Sequence, residues 1–199
     1  MGALAIGGVL FMYGRDLPSY ETLSQYTPKT ISRIYSAEGR IIDEFAVERR
    51  LFTPAEEIPD IVKQAFISAE DKNFYEHQGF DAMGMVSAFV DAVESRGENV
   101  RGASTITQQV MKNFLLDGSR SVERKIKEII LAVRIEGAMP KERILELYLN
   151  EIFLGQNSFG VTAAALTYFN KPLPDLSAGE AAYLASLPKS PSNRHPVRD

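Results

Sequence analysis

Three groups of residues in this 199-residue sequence are of types that can do chemistry. The first is ISAEDKNFYEHQGFD, residues 67–81, where an apolar helical pattern runs into Glu70, Asp71, the aromatics Phe74 and Tyr75, His77 and a turn glycine. A carboxyl at the end of an apolar face is partly desolvated, which disfavours its charged form and moves it toward the range of a general base. Asp71 beside it adds a like charge acting in the same direction. The second group is RGASTITQQVMKN, residues 101–113. Ser104, Gln108 and Lys112 recur every four residues on one helix face, with Thr105, Gln109 and Asn113 alongside. A glycine leading into a hydroxyl-rich helix start, with a lysine two turns in, suits an anion. The GxxxxGK[ST] spacing of a nucleotide phosphate loop is absent. The third is SVERKIKEII, residues 121–130, which adds Arg124, Lys125 and the carboxylate Glu128.

Each feature also has an ordinary explanation. Acids at helix ends are usually solvated, a lone histidine is more often a structural hydrogen-bonder, and Thr105 with Gln108 reads as a capping box. The pairs Arg124 to Glu128 and Glu123 to Lys127 are worth a few tenths of a kcal/mol as surface ion pairs. SLPK, residues 186–189, fits the S-x-x-K pattern of serine acyltransferases, but Pro188 breaks the helical turn the pattern needs, and no SDN or KTG accompanies it.

The elements that must position these groups are mainly helical. Ile58, Val62, Ala65, Phe66 and Ala69 repeat at three and four behind Pro59 and predict a helix ending at Glu70. Further helices are expected over residues 81–95, from Thr105, from a Ser121 cap with Val122, Ile126, Ile129, Ile130 and Val133 inward, and from Pro140 with Ile144, Leu145, Tyr148 and Ile152 inward. Two small-residue helices follow, around 161–168 and 177–187. Before Pro54, TISRIYSAEGRIIDEFAV predicts a β-hairpin after a polar, proline-bearing linker. The loop 94–102 is polar and reads as mobile. The N-terminal MGALAIGGVLFMYG would reach only about 21 Å as a helix, short of the roughly 30 Å hydrocarbon core. It reads as the outer half of a membrane anchor, giving an expected organisation of 1–15 partial anchor, 16–54 linker and hairpin, and 55–199 catalytic domain.

Composition agrees with a globular domain: 45% of residues are hydrophobic and 24% charged, and disorder is not expected. Cysteine is absent, which excludes disulfides, thiolate nucleophiles and cysteine zinc sites. The net charge is −4, yet residues 101–143 carry 9 basic and 5 acidic groups. An acidic chain with a basic middle is no general nucleic-acid binder and suits a small anionic ligand such as a phosphate.

EDKNFYEHQGFD, GASTITQQVMKN, RKIKE and KERILELYLNEIFLGQNSFGV, in this order, resemble the peptidoglycan glycosyltransferase domain of class A penicillin-binding proteins and monofunctional transglycosylases, and LPKSPSNRHPVR is similar to that family's fifth motif. The resemblance implies a lysozyme-like helical fold on the outer face of the bacterial cytoplasmic membrane, behind one transmembrane helix. It implies polymerisation of lipid II into β-1,4 glycan strands with release of undecaprenyl pyrophosphate. By the same resemblance Glu70 is the general base and Glu128 the second essential glutamate, on the pyrophosphate side, with Mg2+ or Mn2+ as the ion that would assist it. Lys112, Arg124 and Lys125 would hold the diphosphate. Asp71, Phe74, His77, Ser104, Thr105, Gln108, Gln109, Asn113 and Arg194 would complete the substrate site, while Tyr148 and Asn150 look structural. Gly137 and Pro140 depart from the family's usual turn. Partners would be lipid II, the growing glycan, the membrane and other cell-wall synthesis proteins, and the chain would be part of a longer bifunctional enzyme.

The chemistry of the residues agrees with that resemblance. Hydrolytic glycosidases pair two carboxylates because the leaving sugar oxygen needs a proton, whereas a pyrophosphate leaves readily and needs cations more than an acid. A lysozyme-like hydrolase would use Glu70 as an acid and have no use for Lys112, Arg124 and Lys125. A non-catalytic membrane scaffold would need none of these residues.

Overall fold

A computed structural model describes residues 12–14, 17–18, 23, 32–35, 41–45, 49–94, 102, 104–116 and 121–189. Arg194 with the rest of the fifth motif, most of the 94–102 loop, most of the linker and nearly all of the apolar N-terminus lie outside those residues. Among the described residues no helix is long and apolar enough to cross a membrane.

Strands β1 (Ser32–Tyr35) and β2 (Ile41–Phe45) pair antiparallel, with an irregularity between Ile34 and Tyr35. The two-residue strands β3 (Arg49–Arg50) and β4 (Ser158–Phe159) pair in parallel. The helices are α1 (Asp60–Glu70), α2 (Ala82–Glu94), α3 (Ile106–Leu115), α4 (Val122–Glu136), α5 (Lys141–Glu151), α6 (Val161–Phe169) and α7 (Ala178–Ser186). Helix starts follow the capping residues in the sequence. Asp81 Oδ1 accepts from Gly84 N–H at 2.8 Å ahead of α2, and Ser121 Oγ accepts from Arg124 N–H at 3.1 Å at the start of α4. Ser177 and Glu180 form a reciprocal capping box on α7.

Two expectations need correction. Thr105 does cap α3, accepting from Gln108 N–H at 3.1 Å, but no box forms there, because the Gln108 side chain is held by Lys125. On α4 the buried face comprises Glu128, Ile130, Leu131, Ala132 and Ile135. Val122 and Val133, expected inward, are exposed. A scan for apolar residues could not include the glutamate that defines the buried side.

The chain divides into two compact units. One contains residues 1–26 and 70–144, the other residues 27–69 and 145–199. In the first, α3 packs on α4, burying Ile106, Val110, Met111, Leu131 and Ile135 together with Phe74. Gly79 belongs to the turn after Phe74 and has φ of +88°; a Cβ there would lie 2.5 Å from the Ala132 carbonyl of α4. Close approach and backbone conformation both require glycine. α2 carries Met83, Val86, Val90 and Val93 on its exposed surface, spaced three, four and three apart as one helical stripe.

The second unit is organised around the ExYLN stretch of α5. Asn150 Oδ1 accepts from Thr53 N–H at 2.8 Å, and its Nδ2 donates to Thr53 O and Glu146 O, both at 2.9 Å. Glu146 Oε2 accepts from Ala55 N–H at 2.8 Å. These side chains supply the strand-like partners that an irregular backbone would otherwise lack. Tyr148 packs edge-on against Phe66 with ring centroids 6.2 Å apart, and Tyr168, Phe169 and Tyr183 form an aromatic cluster. Tyr148 and Asn150, which look structural in the sequence, thus join α5 to α1 and to Thr53 within this unit. Ser186 Oγ donates to Tyr183 O and Lys189 Nζ to Ala69 O, so SLPK is not a nucleophile and its base.

Candidate active site

The site lies within the first unit. Glu70 ends α1 half-buried, and Gln109 Nε2 donates to its Oε2 at 2.9 Å. Gln109 is fixed by the start of α3. There the Asp71 carboxylate accepts from Ile106 N–H at 2.9 Å, the first amide of the helix, where negative charge is favoured. His77 Nε2 lies 3.0 Å from both Asp71 oxygens; since an ionised carboxylate only accepts, that nitrogen carries the proton. Thr105 Oγ1 donates to Gly79 O at 2.8 Å. Asp71, His77 and Thr105 thus tie residues 71–79 to the first turn of α3.

One residue back from Gln109, the cation cluster begins. Lys125 Nζ donates to Ser104 Oγ at 2.7 Å, Gln108 Oε1 at 2.9 Å and Glu128 Oε2 at 3.0 Å. Arg124 Nε lies 3.0 Å from Glu128 Oε1. The Glu128 side chain is only 3% exposed against 37% for Lys125. A carboxylate that far out of water persists because two cations face it. Gln108 is fully buried, and its Nε2 has no hydrogen-bond partner among the described residues. The amide therefore offers a donor beside the lysine it holds. Lys112 and Asn113 are exposed on the later turns of α3, Lys112 one turn beyond Gln108.

The structure thus brings Glu70, Gln109, Gln108, Ser104, Lys125, Arg124 and Glu128 into one chain of contacts through α3. Phe74 is wholly buried and packs against Tyr75 and His77. Asp71 and Thr105 are also buried, with their oxygens engaged inside the protein. Neighbours that the sequence reading missed are Thr107, Glu136 and Lys141; no spacing rule joins them, because their contact depends on how the helices pack.

An ion such as Mg2+ or Mn2+ needs oxygen ligands. Among the described residues no group of three or more His, Asp or Glu could hold a metal ion, and both Glu128 oxygens already face cations. The protein's own donor set does not fit a divalent ion at Glu128.

Glu70 is thus joined through consecutive residues of one helix to a cluster of cations anchored on Glu128. A family model described as Transglycosylase matches residues 38–199. The chain belongs to the transglycosylase family. It is 48% identical to Penicillin-binding protein 1A of Rickettsia felis over 193 residues, 96% of this chain and 24% of that protein. With Penicillin-binding protein 1A of Neisseria flavescens it shares 47% identity over 197 residues, 99% of this chain and 24% of that protein. The crystal structure of Penicillin-Binding Protein 1A from Haemophilus influenzae, 28% identical, matches 84% of this chain and 15% of that chain with a TM-score of 0.42. The chain spans about a quarter of the length of these curated relatives.

Proposed function

We propose that this domain polymerises lipid II with inversion at the donor sugar, Glu70 acting as general base. Glu70 takes the proton of the 4-hydroxyl of the acceptor GlcNAc as that oxygen bonds to C1 of the donor MurNAc. The C1–O bond to the diphosphate breaks, and undecaprenyl pyrophosphate leaves with its electron pair. Lys125, Arg124 and Lys112 stabilise the charge that develops on the diphosphate, where fixed cations act most strongly. Glu128 holds Arg124 and Lys125 in place. Ser104, Gln108 and Asn113 contribute polar contacts, and Arg194 in the fifth motif completes the site. The fold would be the lysozyme-like one of the family.

The observation that carries this reading is on α3: consecutive glutamines hold the proposed base and a proposed phosphate cation, Gln109 on Glu70 and Gln108 on Lys125. A hydrolase gains nothing from the second contact. The reading also places the domain on the outer face of the cytoplasmic membrane, as part of a bifunctional penicillin-binding protein. The exposed apolar stripe of α2 supports a position beside lipid.

Incubation with lipid II in detergent tests this, alongside a parallel incubation with finished glycan. Wild-type chain should yield polymer from lipid II and leave glycan intact. Glu70→Gln should fold with an unchanged circular dichroism spectrum and lose polymerisation by at least about 1,000-fold. Equal rates for variant and wild type would reject Glu70 as the base, and glycan cleavage without polymer would favour the hydrolase. Rates unchanged by EDTA are expected, because cations already face Glu128.

A further inference from the structure

Behind α3, away from the residues assigned to the reaction, lies a second charged group with little access to water. Lys141 begins α5, and its Nζ lies 2.7 Å from Glu136 Oε1 near the end of α4. The two side chains are 16% and 6% exposed. The same Glu136 oxygen accepts from Thr107 Oγ1 at 2.5 Å, and Thr107 is fully buried in α3. Lys141 Nζ also stands 4.4 Å from the centroid of the Phe74 ring, inside the range of a cation–π contact.

We propose that Lys141 is a positioning residue for the proposed base Glu70, pinning Phe74 directly and α3 through Glu136 and Thr107. This rests on the reading of Glu70 given above. A buried ion pair contributes little net stability, since the desolvation of both charges opposes their attraction. What it does provide here is geometry, along two arms. On the first, Thr107 and Gln109 are two residues apart on α3, about 200° around the helix. Glu136 therefore grips one side of α3 while the opposite side presents Gln109 to Glu70. On the second, Phe74 N–H donates to Asp71 O at 2.9 Å, and the ring meets that of His77 edge-on at 6.3 Å. His77 in turn holds the Asp71 carboxylate, which caps the first amide of α3. Both arms start at one ammonium and end on the two contacts flanking the base: Glu70 with Gln109, and Asp71 with Ile106.

Lys141→Met tests the pin, because methionine keeps the stem over Phe74 and removes only the charge. Expected in lipid II polymerisation is a loss in kcat of between about 10- and 100-fold, the scale of a small misplacement of reacting groups, with KM within about 3-fold of wild type. Hydrogen exchange at amides 106–109 should quicken relative to wild type, and Lys141→Arg should recover most of the rate. The double variant Lys141→Met with Glu136→Leu separates positioning from stability. Replacing a buried pair by apolar side chains should restore the melting temperature, while kcat stays low. Recovery of both, or wild-type exchange and kcat in Lys141→Met, would overturn the proposal. Failure of the base reading has a different signature: Glu70→Gln would polymerise at the wild-type rate, whereas the exchange of amides 106–109 judges the pin independently of any turnover.

Discussion

Helices α4 and α7 both begin at a capping serine, and they treat charge in opposite ways. In α7 the charge stays at the end: Glu180 accepts hydrogen bonds from Ser177 N–H and Oγ and pairs with Lys171 at 2.7 Å. In α4 the cap is a plain Ser121 contact, and the informative carboxylate sits nearly two turns in, buried against Arg124 and Lys125. The same residue types terminate a helix in one region and form the proposed reaction site in the other. Depth from the helix end separates the two uses.

The sharpest way to break this comparison is Lys125→Met. If the buried charge of α4 serves the reaction, polymerisation should fall by about 100-fold or more, the scale seen when one donor to a developing anion is removed. Circular dichroism should show the fold retained. A loss of melting temperature with rates preserved per folded molecule would place α4 in the same structural category as α7.

Gly160→Ala approaches from the scaffold side. Gly160 has φ of +83°, and a Cβ there would lie 2.6 Å from the Asn150 carbonyl. Strain and overlap together should destabilise by about 3 kcal/mol, read as a lowered denaturant midpoint. The rate per folded molecule should not change.

The smallest effect is expected at Glu180 and is confined to acid. Its pKa is pushed down to about 2 from 4.5, first by Lys171 and then by Ser177. A carboxylate depressed on folding contributes stability above its unfolded pKa and loses it as pH falls through the folded value. The melting temperature of the wild type should therefore exceed that of Glu180→Gln near neutral pH, and the gap should close between pH 4.5 and about 2. The ion pair is partly open to solvent, so the gap is modest.

Much of this was legible in the sequence because it depends on local spacing. The end of α1 at Glu70, the caps Thr105 and Ser121, and the Arg124–Glu128 pair four residues apart all follow from helix geometry. The residues that resisted are those whose partners come from other helices. Gln108 satisfies the pattern of a capping box, but the charged ammonium of Lys125 from α4 is a stronger partner for its carbonyl than the neutral amide of Thr105. Val122 and Val133 match the apolar period, yet α4 turns Glu128 and Leu131 inward instead. Phe74 is expected in the substrate site, and only the packing reveals that it is wholly buried with an ammonium above its ring. Periodicity assigns a helix its faces; it does not say which face a neighbouring helix will cover.

The ammonium of Lys125 has three N–H bonds, and each is already directed at an oxygen of the protein. An incoming oxyanion must therefore enter by exchange, displacing one resident acceptor. The neutral oxygens of Ser104 and Gln108 are weaker competitors than the Glu128 carboxylate, because a charged acceptor makes the stronger bond. Occupancy would then depend on how strongly charged the newcomer is: a singly charged ion gains at one donor, whereas a group with several charged oxygens gains at more than one. The acceptors already held by Lys125 would in this sense select a ligand by its charge.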